Sequence, residues 1–325
     1  MTFLKQATYR LAQRFGGLKF TKFLSRHHPK ILMYHRITDL PDNEGIPIEL
    51  FQQHVDLIRE EFEPMTLSEL LTRKERSTIP ENAVVVTFDD GYADFADKAF
   101  PILAAAKVPA TLFVTTGFVN GDIWLWPDQI RYLITHTSVP ELKLSAISET
   151  FDLMSSRTEV WNVVANYCLT VSNEKKIKII DEMSRRLEVP LPQKAPEGYE
   201  AASWTQIKKM VTQGLDVGSH SISHPILTKL SNNQLVMELQ NSKKKLELET
   251  GKLINIFCYP NGTVYDFDEN VKRLLEEVGY QYGVSAYPSR IPLEDNWCIN
   301  RYPVGKNIDV FKKNLYGLTY LAMKS

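Results

Sequence analysis

Two adjacent carboxylates follow the most apolar strand-like run of the chain. Asp89 and Asp90 come directly after residues 83–88, a β-branched and aromatic run typical of a strand buried on both faces. Neighbouring carboxylates repel each other in a low-dielectric setting, so a fold tolerates them most simply where a cation absorbs the charge. Asp-Asp-Gly is also good turn chemistry, so the pair alone indicates a turn and a metal or catalytic site equally well.

A histidine pair of metal-ligand spacing lies farther along the chain, at His220 and His224. On a helical turn this spacing puts both imidazoles on one side, as metal-binding pairs require. Such a pair alone is often only two surface residues. Two imidazoles and one carboxylate would form a three-ligand site with an open position for water, which is the form of a catalytic zinc site.

The order of the surrounding elements predicts an α/β fold. Strand-like runs alternate with helical patterns, and the principal ones are 31–35, 84–88, 110–115, 215–219, 254–259 and 282–285. This alternation favours a parallel sheet with helices outside it, and the number of units suits an irregular (β/α)7 barrel. Because the carboxyl ends of barrel strands share one face, we expect His35, the Asp89–Asp90 pair, His220 and Tyr259 to meet there.

The chain is predicted to be one domain, residues 29–325, preceded by a basic amphipathic helix at 1–28. A mostly helical insertion covers about 120–201, and it is either a lid or specificity wall or simple structural padding. Residues 2–26 interleave lysines and arginines with apolar side chains at helical spacing. This segment either lies on an anionic membrane surface or packs on the domain with a solvated basic face.

Composition excludes several classes of protein. The 325 residues have a formal net charge of −1 and a pI near 6.7, so no global basic surface indicates a nucleic-acid partner. Three scattered cysteines indicate a reducing compartment and small core residues rather than ligands. No apolar run reaches the length of a membrane span, and no secretory signal is recognisable. We therefore expect a cytoplasmic location, with peripheral membrane contact at the inner face as the alternative that residues 1–26 offer.

Three motifs together resemble a known family. Thr-Phe-Asp-Asp-Gly-Tyr at 87–92, His-Ser-Ile-Ser-His-Pro at 220–225 and Phe-Cys-Tyr-Pro-Asn-Gly at 257–262 are similar to the polysaccharide deacetylases, the NodB-homology family also called carbohydrate esterase family four. The resemblance covers about 31–119 and 203–305. It implies an irregular barrel of about seven strands and the metal-dependent removal of an acetyl group from an N-acetylated sugar.

The resemblance also implies a role for each matching residue. Asp89 would be the general base, whereas Asp90, His220 and His224 would bind the metal. One carboxylate is then neutralised by the cation and the other stays free to take a proton from the activated water. Zn²⁺ suits these ligands best, and Co, Ni, Mn or Fe would fit the same site. The backbone N–H of Tyr92 is a plausible oxyanion donor.

The general acid departs from the common family pattern. Most members carry the acid in a late Leu-x-x-His motif, and this chain has no histidine after His224. The stretch Leu-Met-Tyr-His-Arg at 32–36 resembles the circularly permuted members, in which the corresponding strand lies at the N-terminus. The resemblance thus implies that His35 is the general acid. The alternative is a histidine buried under the barrel rim.

Three further residues are expected at the site. Arg301, near Asp295 and Trp297, lies where the family often places residues that tune the base or the acid, and an arginine beside Asp89 would keep that carboxylate ionised. Tyr259 and Asn261 would line the sugar groove, although Tyr259-Pro260-Asn261-Gly262 is also good turn sequence.

The expected activity is hydrolysis of the acetamide of an N-acetylated amino sugar, in a polysaccharide or a lipid-linked glycan precursor. Two alternatives stay open at this point. A hydrolase of the same fold could act on a non-carbohydrate amide, since the same centre attacks any suitable carbonyl. A non-catalytic glycan-binding module is the other, but the complete set of Asp89, Asp90, His220, His224 and His35 argues against it.

Overall fold

The computed structural model describes residues 17–38 and 45–323. Within them a main sheet has eight strands and a separate hairpin has two. In chain order the strands are β1 Lys30–Tyr34, β2 Glu63–Met65, β3 Ala83–Phe88, β4 Ala110–Val114, β5 Glu141–Leu144, β6 Ile147–Asp152, β7 Asp216–Ser219, β8 Ile256–Cys258, β9 Tyr282–Val284 and β10 Tyr302–Pro303. The predicted strand-like runs match β1, β3, β4, β7, β8 and β9 to within one or two residues.

Helices cover the outside of the main sheet. They are α1 Gly17–Leu24, α2 Ile48–Glu61, α3 Leu67–Glu75, α4 Phe100–Ala106, α5 Thr116–Asn120, α6 Trp126–His136, α7 Arg157–Thr170, α8 Asn173–Arg186, α9 Trp204–Thr212, α10 Asn232–Thr250, α11 Glu269–Val278, α12 Ile308–Leu315 and α13 Leu318–Ala322. A π-helical turn, Phe95–Ala99, leads into α4. No helix within these described ranges is long and apolar enough to cross a membrane.

The main sheet is parallel, in the order β10-β1-β3-β4-β7-β8-β9, with β2 paired to the start of β3. It curls so far that one segment contacts both of its edges. Ile299 pairs with Val284 of β9, and Tyr302 pairs with Leu32 of β1. This confirms the predicted α/β fold, an irregular barrel of about seven strands.

Register at the centre of the sheet places the first candidate residues side by side. Every residue of β1 and β3 is buried, as expected for strands covered on both faces. Tyr34 lies opposite Phe88, and the Asp89 N–H donates to the Tyr34 carbonyl at 3.0 Å. His35 and Asp89 therefore leave the sheet at the same level.

Local signals in the sequence define the helices that follow. Ser203 with Gln206 and Ser231 with Gln234 form complete capping boxes at the starts of α9 and α10. At the end of α10, Gly251 has φ of 66°, the left-handed conformation that a helix stop of this kind requires. The two helices that these caps begin flank β7 and the segment that carries His220 and His224.

The segment between the barrel strands β4 and β7 has a hydrophobic core of its own. Side chains of α6, α7, α8 and the β5–β6 hairpin form it, among them Leu133, Phe151, Val164 and Met183. The prediction of a mostly helical insertion found α6 and α8 but missed the hairpin. Only four residues of β5 alternate between exposed and buried positions, too short a pattern to recognise.

The predicted N-terminal amphipathic helix lies mostly outside the described residues. Its described part is α1, which begins at Gly17. The Ser25 N–H after α1 donates to the Thr21 carbonyl at 3.0 Å, and the chain then enters β1 at Lys30. Thus α1 lies at the end of the sheet where the strands begin.

Candidate active site

Asp90, His220 and His224 come together at the carboxyl ends of β3 and β7. The Nε2 atoms of both histidines lie 3.5 Å from Asp90 Oδ1. Ligand atoms about 2.1 Å from a tetrahedral Zn²⁺ lie roughly 3.4 Å apart. Both distances are too long for good hydrogen bonds and match the spacing of ligand atoms on one ion, and all three atoms lie within 4.8 Å of one another.

The histidines are carried by a bent loop, and the predicted helical turn is wrong. No helix is assigned to residues 220–224, and Ser221 and His224 have φ of 67° and 52°. The His224 N–H donates to Ser221 Oγ at 3.0 Å, which closes the loop. Left-handed backbone at a non-glycine residue costs roughly 1–3 kcal/mol and persists only where the surroundings enforce it.

Contacts from two helices, α5 and α10, hold that loop. The N–H groups of Thr116 and Gly117 donate to the carbonyls of Ser221 and Ile222 at 3.0 and 2.9 Å. From α10, Glu238 Oε2 accepts the N–H groups of Ile222 and Ser223 at 2.7 and 3.0 Å. The Ser223 hydroxyl donates to Glu238 Oε1 at 2.5 Å.

Hydrogen bonding and burial prepare the imidazoles to bind a metal. His220 Nδ1 lies 2.8 Å from the Cys258 carbonyl, which can only accept, so Nδ1 has the proton and Nε2 the lone pair. Burial lowers the pKa of His220 to about 4 and that of His224 well below its usual value. Both imidazoles are therefore neutral at pH 7, as metal ligands must be.

Asp90 needs a cation to be ionised in this position. Burial, followed by the charges of Asp89 and Asp128, raises the pKa of Asp90 well above its usual value. Its Oδ1 is buried and accepts no hydrogen bond from any described residue. A buried carboxylate oxygen without a donor, facing two neutral imidazoles, fits a divalent cation with Asp90, His220 and His224 as ligands.

Asp89 is bound on the other side by Arg301, which is fully buried. Arg301 Nη1 lies 2.7 Å from Asp89 Oδ1, and Nη2 lies 2.8 Å from Oδ2. Burial would raise the pKa of Asp89, but the charge and hydrogen bonds of Arg301 outweigh it and hold that pKa below its usual range. The structure thus places Arg301 where the resemblance indicated, whereas Asp295 forms an ion pair with Lys272 instead.

His35 lies at the mouth of the pocket, with 48% of its side chain exposed and Nε2 3.8 Å from Asp89 Oδ2. The alternative of a histidine buried under the barrel rim is therefore wrong. The next residue, Arg36, anchors this end of β1. Its guanidinium donates to Asp94 Oδ2 at 2.8 Å and to the Gly198 carbonyl at 2.6 Å, and it covers the Tyr92 ring.

The Tyr92 N–H has no partner among the described residues. An isolated antiparallel bridge joins Tyr92 to Ala201, and its hydrogen bonds run from Ala93 to Glu200 and from Ala202 to Gly91. The Tyr92 hydroxyl donates to Asp128 Oδ2 at 2.7 Å. This leaves the backbone donor beside the acidic pair available to an oxygen atom of a ligand.

One cavity of about 520 Å³ is lined by the acidic pair, both metal-site histidines, His35 and Tyr92, and its volume is usual for a small-molecule site. The insertion supplies one wall of it, through Leu125, Pro127, Asp128, Arg131 and Trp161. The Arg131 guanidinium lies 4.4 Å from the centre of the Trp161 ring, whose Nε1 donates to the Pro127 carbonyl at 3.0 Å. The insertion is therefore part of the site and not only structural padding.

The sequence profile of the polysaccharide deacetylases matches residues 76–137 and 145–283, which span β3, β7 and the acidic and histidine motifs. The chain belongs to the polysaccharide deacetylase family. Its members are hydrolases that act on amide bonds. The match runs through most of the insertion, so the expectation that the resemblance stops at residue 119 and resumes at 203 was too narrow.

Individual deacetylases show the same relationship. The chain is 23% identical over 262 residues to YxkH of Bacillus subtilis, provisionally named a polysaccharide deacetylase, covering 79% of this chain and 64% of YxkH. It is 40% identical over 58 residues to the poly-beta-1,6-N-acetyl-D-glucosamine N-deacetylase of Staphylococcus aureus, covering 18% of this chain and 20% of that enzyme. The chain thus matches less than two thirds of the length of either relative.

Solved deacetylase structures share the fold. The Streptococcus pyogenes deacetylase PplD superposes with a TM-score of 0.60 at 18% identity, covering 90% of this chain and 98% of PplD. IcaB from Ammonifex degensii superposes with a TM-score of 0.57 at 20% identity, covering 88% and 95%. These likenesses show that the fold is shared over nearly the whole chain.

Two of the expected groove residues differ in what they offer a ligand. Tyr259 is almost completely buried, and its hydroxyl donates to the Trp297 carbonyl at 2.8 Å, so it supports the cavity as a packed ring. Asn261 has φ of 60°, and its buried Nδ2 has no partner among the described residues. Because Asn261 lines the cavity, its amide is a ready donor for a bound carbonyl or hydroxyl.

Cys258 and Glu238 belong to the site, although sequence reasoning did not assign them to it. Cys258 Sγ lies 3.1 Å from Arg301 Nη2 and 3.8 Å from Asp89 Oδ2. Its position at the end of a strand next to the Tyr259–Gly262 motif was the only signal for it. Glu238 lies in the middle of a helix with no motif around it, and only the tertiary structure connects it to the histidine loop.

Proposed function

We propose that this deacetylase is a divalent-cation-dependent enzyme that removes the acetyl group from an N-acetylated amino sugar of a polysaccharide or a lipid-linked glycan. The observation that carries the proposal is that one cavity is lined by the Asp90–His220–His224 cluster, by Asp89 and by His35, with Arg301 buried behind Asp89. The name of the staphylococcal relative makes poly-β-1,6-N-acetyl-D-glucosamine the first substrate to test.

The Asp90–His220–His224 cluster determines which cofactor the enzyme would bind. When bound by Asp90, His220 and His224, a divalent cation supplies a Lewis acid that lowers the pKa of water and polarises an acyl oxygen. One carboxylate and two imidazoles suit Zn²⁺ best, and Co, Ni, Mn or Fe fit the same donor set.

The chain's own residues supply the proton transfers. Asp89, held ionised by Arg301, takes a proton from the water that attacks the acetyl carbon, and the Tyr92 N–H donates to the oxygen on which charge develops. His35 Nε2 gives a proton to the leaving amine nitrogen. Water is thereby added across the C–N bond, and acetate and a free amino sugar result. The assignment to His35 rests on its position in the cavity and on the resemblance of residues 32–36 to permuted family members.

The wall formed by the insertion favours a carbohydrate over a compact amide. Trp161 and Arg131 present an aromatic ring covered by a guanidinium at one side of the cavity, while Asn261 offers an unused amide donor at another. Apolar ring faces with a few polar groups are the usual means of orienting a ligand in a pocket.

The test is acetate release measured across a panel of substrates. It contains oligomers of β-1,6-linked N-acetylglucosamine, other N-acetylated oligosaccharides, lipid-linked N-acetylated sugars and N-acetylated amides without a sugar. We expect the wild type to release acetate from the N-acetylated sugars. Asp89→Asn should lower this turnover by about 10²–10⁴-fold and should still bind the cation. Turnover confined to the sugar-free amides would contradict the proposal, and so would full activity of the variant.

A further inference from the structure

Helix α1 turns three large apolar side chains outward. Phe20, Phe23 and Leu24 are 63%, 59% and 47% exposed, and their spacing of three and four puts them on one face. The opposite face, against the barrel, is mixed, with Leu18 packed on the hydrophobic core, Ser25 buried directly after the helix and Thr21 beside it. A surface helix normally turns most of its large apolar side chains inward.

Contacts with the barrel hold α1 in this orientation. Lys22 Nζ donates to the Glu61 carbonyl at the end of α2, and Arg26 Nε lies 3.1 Å from Glu81 Oε1. The Arg26 guanidinium also covers one side of the Phe23 ring, 4.2 Å from its centre. Because these bonds fix the orientation of α1, the helix cannot bury both aromatic rings by rolling over without breaking them.

Charge identifies the kind of surface that would cover this face. Residues 1–38 contain eight lysines and arginines and no aspartate or glutamate. Three of these cations, Lys22, Arg26 and Arg36, are paired with Glu61, Glu81 and Asp94, and Lys30 is buried. Lys19 is exposed on the outward side, and the preceding residues add Lys5, Arg10 and Arg14.

We infer that α1 docks this protein on the surface of an anionic phospholipid bilayer. Phe20, Phe23 and Leu24 enter the boundary between headgroups and acyl chains, Lys19 binds the lipid phosphates, and the basic sequence before α1 adds positive charge. A protein partner would need acidic groups to complement this segment, and a second copy of the chain would bring the same basic segment against it.

The docking geometry follows from the place of α1 in the fold. It leads into the start of β1, whereas the candidate active site lies at the ends of β1, β3 and β7. The bilayer and the catalytic cavity are thus at opposite ends of the sheet. A docked enzyme would reach sugar units that extend away from the membrane or belong to a neighbouring chain, and not those next to its own lipid headgroups.

The test is co-sedimentation of the full chain with phospholipid vesicles. One set contains three parts phosphatidylglycerol to seven parts phosphatidylcholine, and the other contains phosphatidylcholine alone. The test variant is Phe20→Ser/Phe23→Ser/Leu24→Ser. A matched control, Met237→Ser/Leu248→Ser/Leu253→Ser, removes three apolar side chains that are 59%, 79% and 84% exposed on and next to α10.

We expect the wild type and the control to bind the anionic vesicles at least about tenfold more tightly than the α1 variant, and 0.5 M salt to weaken that binding. Unchanged thermal unfolding and acetate release would show that the variant is folded. Failure of the wild type to bind anionic vesicles, or equal binding by the α1 variant, would overturn the inference. Self-association of the wild type that the α1 variant loses, without vesicle binding, would overturn it in favour of a second copy.

Discussion

Arg301 and Asp89 form a bidentate ion pair beneath the catalytic cavity, with both oxygen–nitrogen distances below 3 Å and both side chains almost fully buried. The same guanidinium donates to the Ser285 carbonyl at 2.9 Å and to Thr87 Oγ1 at 3.0 Å. These two hydrogen bonds hold the Arg301 guanidinium in place independently of Asp89. It determines both the ionisation and the orientation of the proposed base.

Arg301→Met should reduce both stability and turnover. Removing one partner of a buried ion pair leaves the other charge without compensation, which costs about 3–5 kcal/mol of unfolding free energy. The double variant with Asp89→Asn should be more stable than Arg301→Met alone, because no unpaired charge is then buried. Chemical denaturation of the four proteins measures this coupling, and a strictly additive loss would show that the two side chains act independently.

Glu238→Gln should weaken metal binding without touching a ligand. The substitution replaces the carboxylate that accepts hydrogen bonds from two loop N–H groups and from the Ser223 hydroxyl. The left-handed residues Ser221 and His224 then lose support. Changes in such supporting residues typically lower metal affinity by about 10–100-fold. Competition of Zn²⁺ with a chromophoric chelator measures the affinity.

Glu247→Gln is the matched control for that variant. Glu247 lies on the same helix and accepts the backbone N–H of Ile254 at 3.2 Å, far from the histidine loop. Equal zinc affinities for the two variants would refute a positioning role for Glu238. Failure of the wild type to bind Zn²⁺ at all would instead refute the proposed metal site.

Trp161→Ala should raise KM about tenfold and change kcat little, because the ring lines the cavity on the wall formed by the insertion. Loss of an interaction made equally with substrate and transition state has this kinetic signature. Trp204→Ala is the control, since this half-buried tryptophan does not line the cavity and donates to Asn120 Oδ1. A large fall in kcat with unchanged KM would place Trp161 in the chemistry instead.

His54 should make the fold sensitive to acid. It is fully buried, stacked on Phe311 and next to the Tyr34 hydroxyl, and burial lowers its pKa to about 3. Between pH 6.5 and about 3, the unfolded chain takes up a proton at His54 that the native state does not. Stability therefore falls as the pH falls, by about 1.4 kcal/mol per pH unit from this one group.

His54→Gln removes that titration and keeps a polar partner for Tyr34. The pH dependence of unfolding free energy between pH 6.5 and 4 should be shallower than in the wild type by about that slope. All other titrating groups contribute to both proteins, so the difference isolates His54. Parallel curves would mean that His54 is protonated in the native state.

The sequence alone determined which chemistry was available. Asp89 and Asp90 could be recognised because an unbroken apolar strand precedes them, and His220 and His224 because their spacing is short and local. Strand and helix positions followed from hydrophobic pattern and from caps such as Ser231 with Gln234, which depend on a few neighbouring residues. Local signals of this kind do not require knowledge of the rest of the fold.

The tertiary structure decided how those groups are arranged. The pairing of Arg301 with Asp89, the Glu238 contacts and the Trp161 wall join segments that are distant in sequence, and they depend on the register of the curled sheet and the position of the insertion. The sequence did not predict the loop that carries His220 and His224. Its residues with left-handed backbone, Ser221 and His224, are not glycines, and glycine is the residue type that usually signals this conformation. Such conformations are imposed by surrounding contacts and not by the residues themselves.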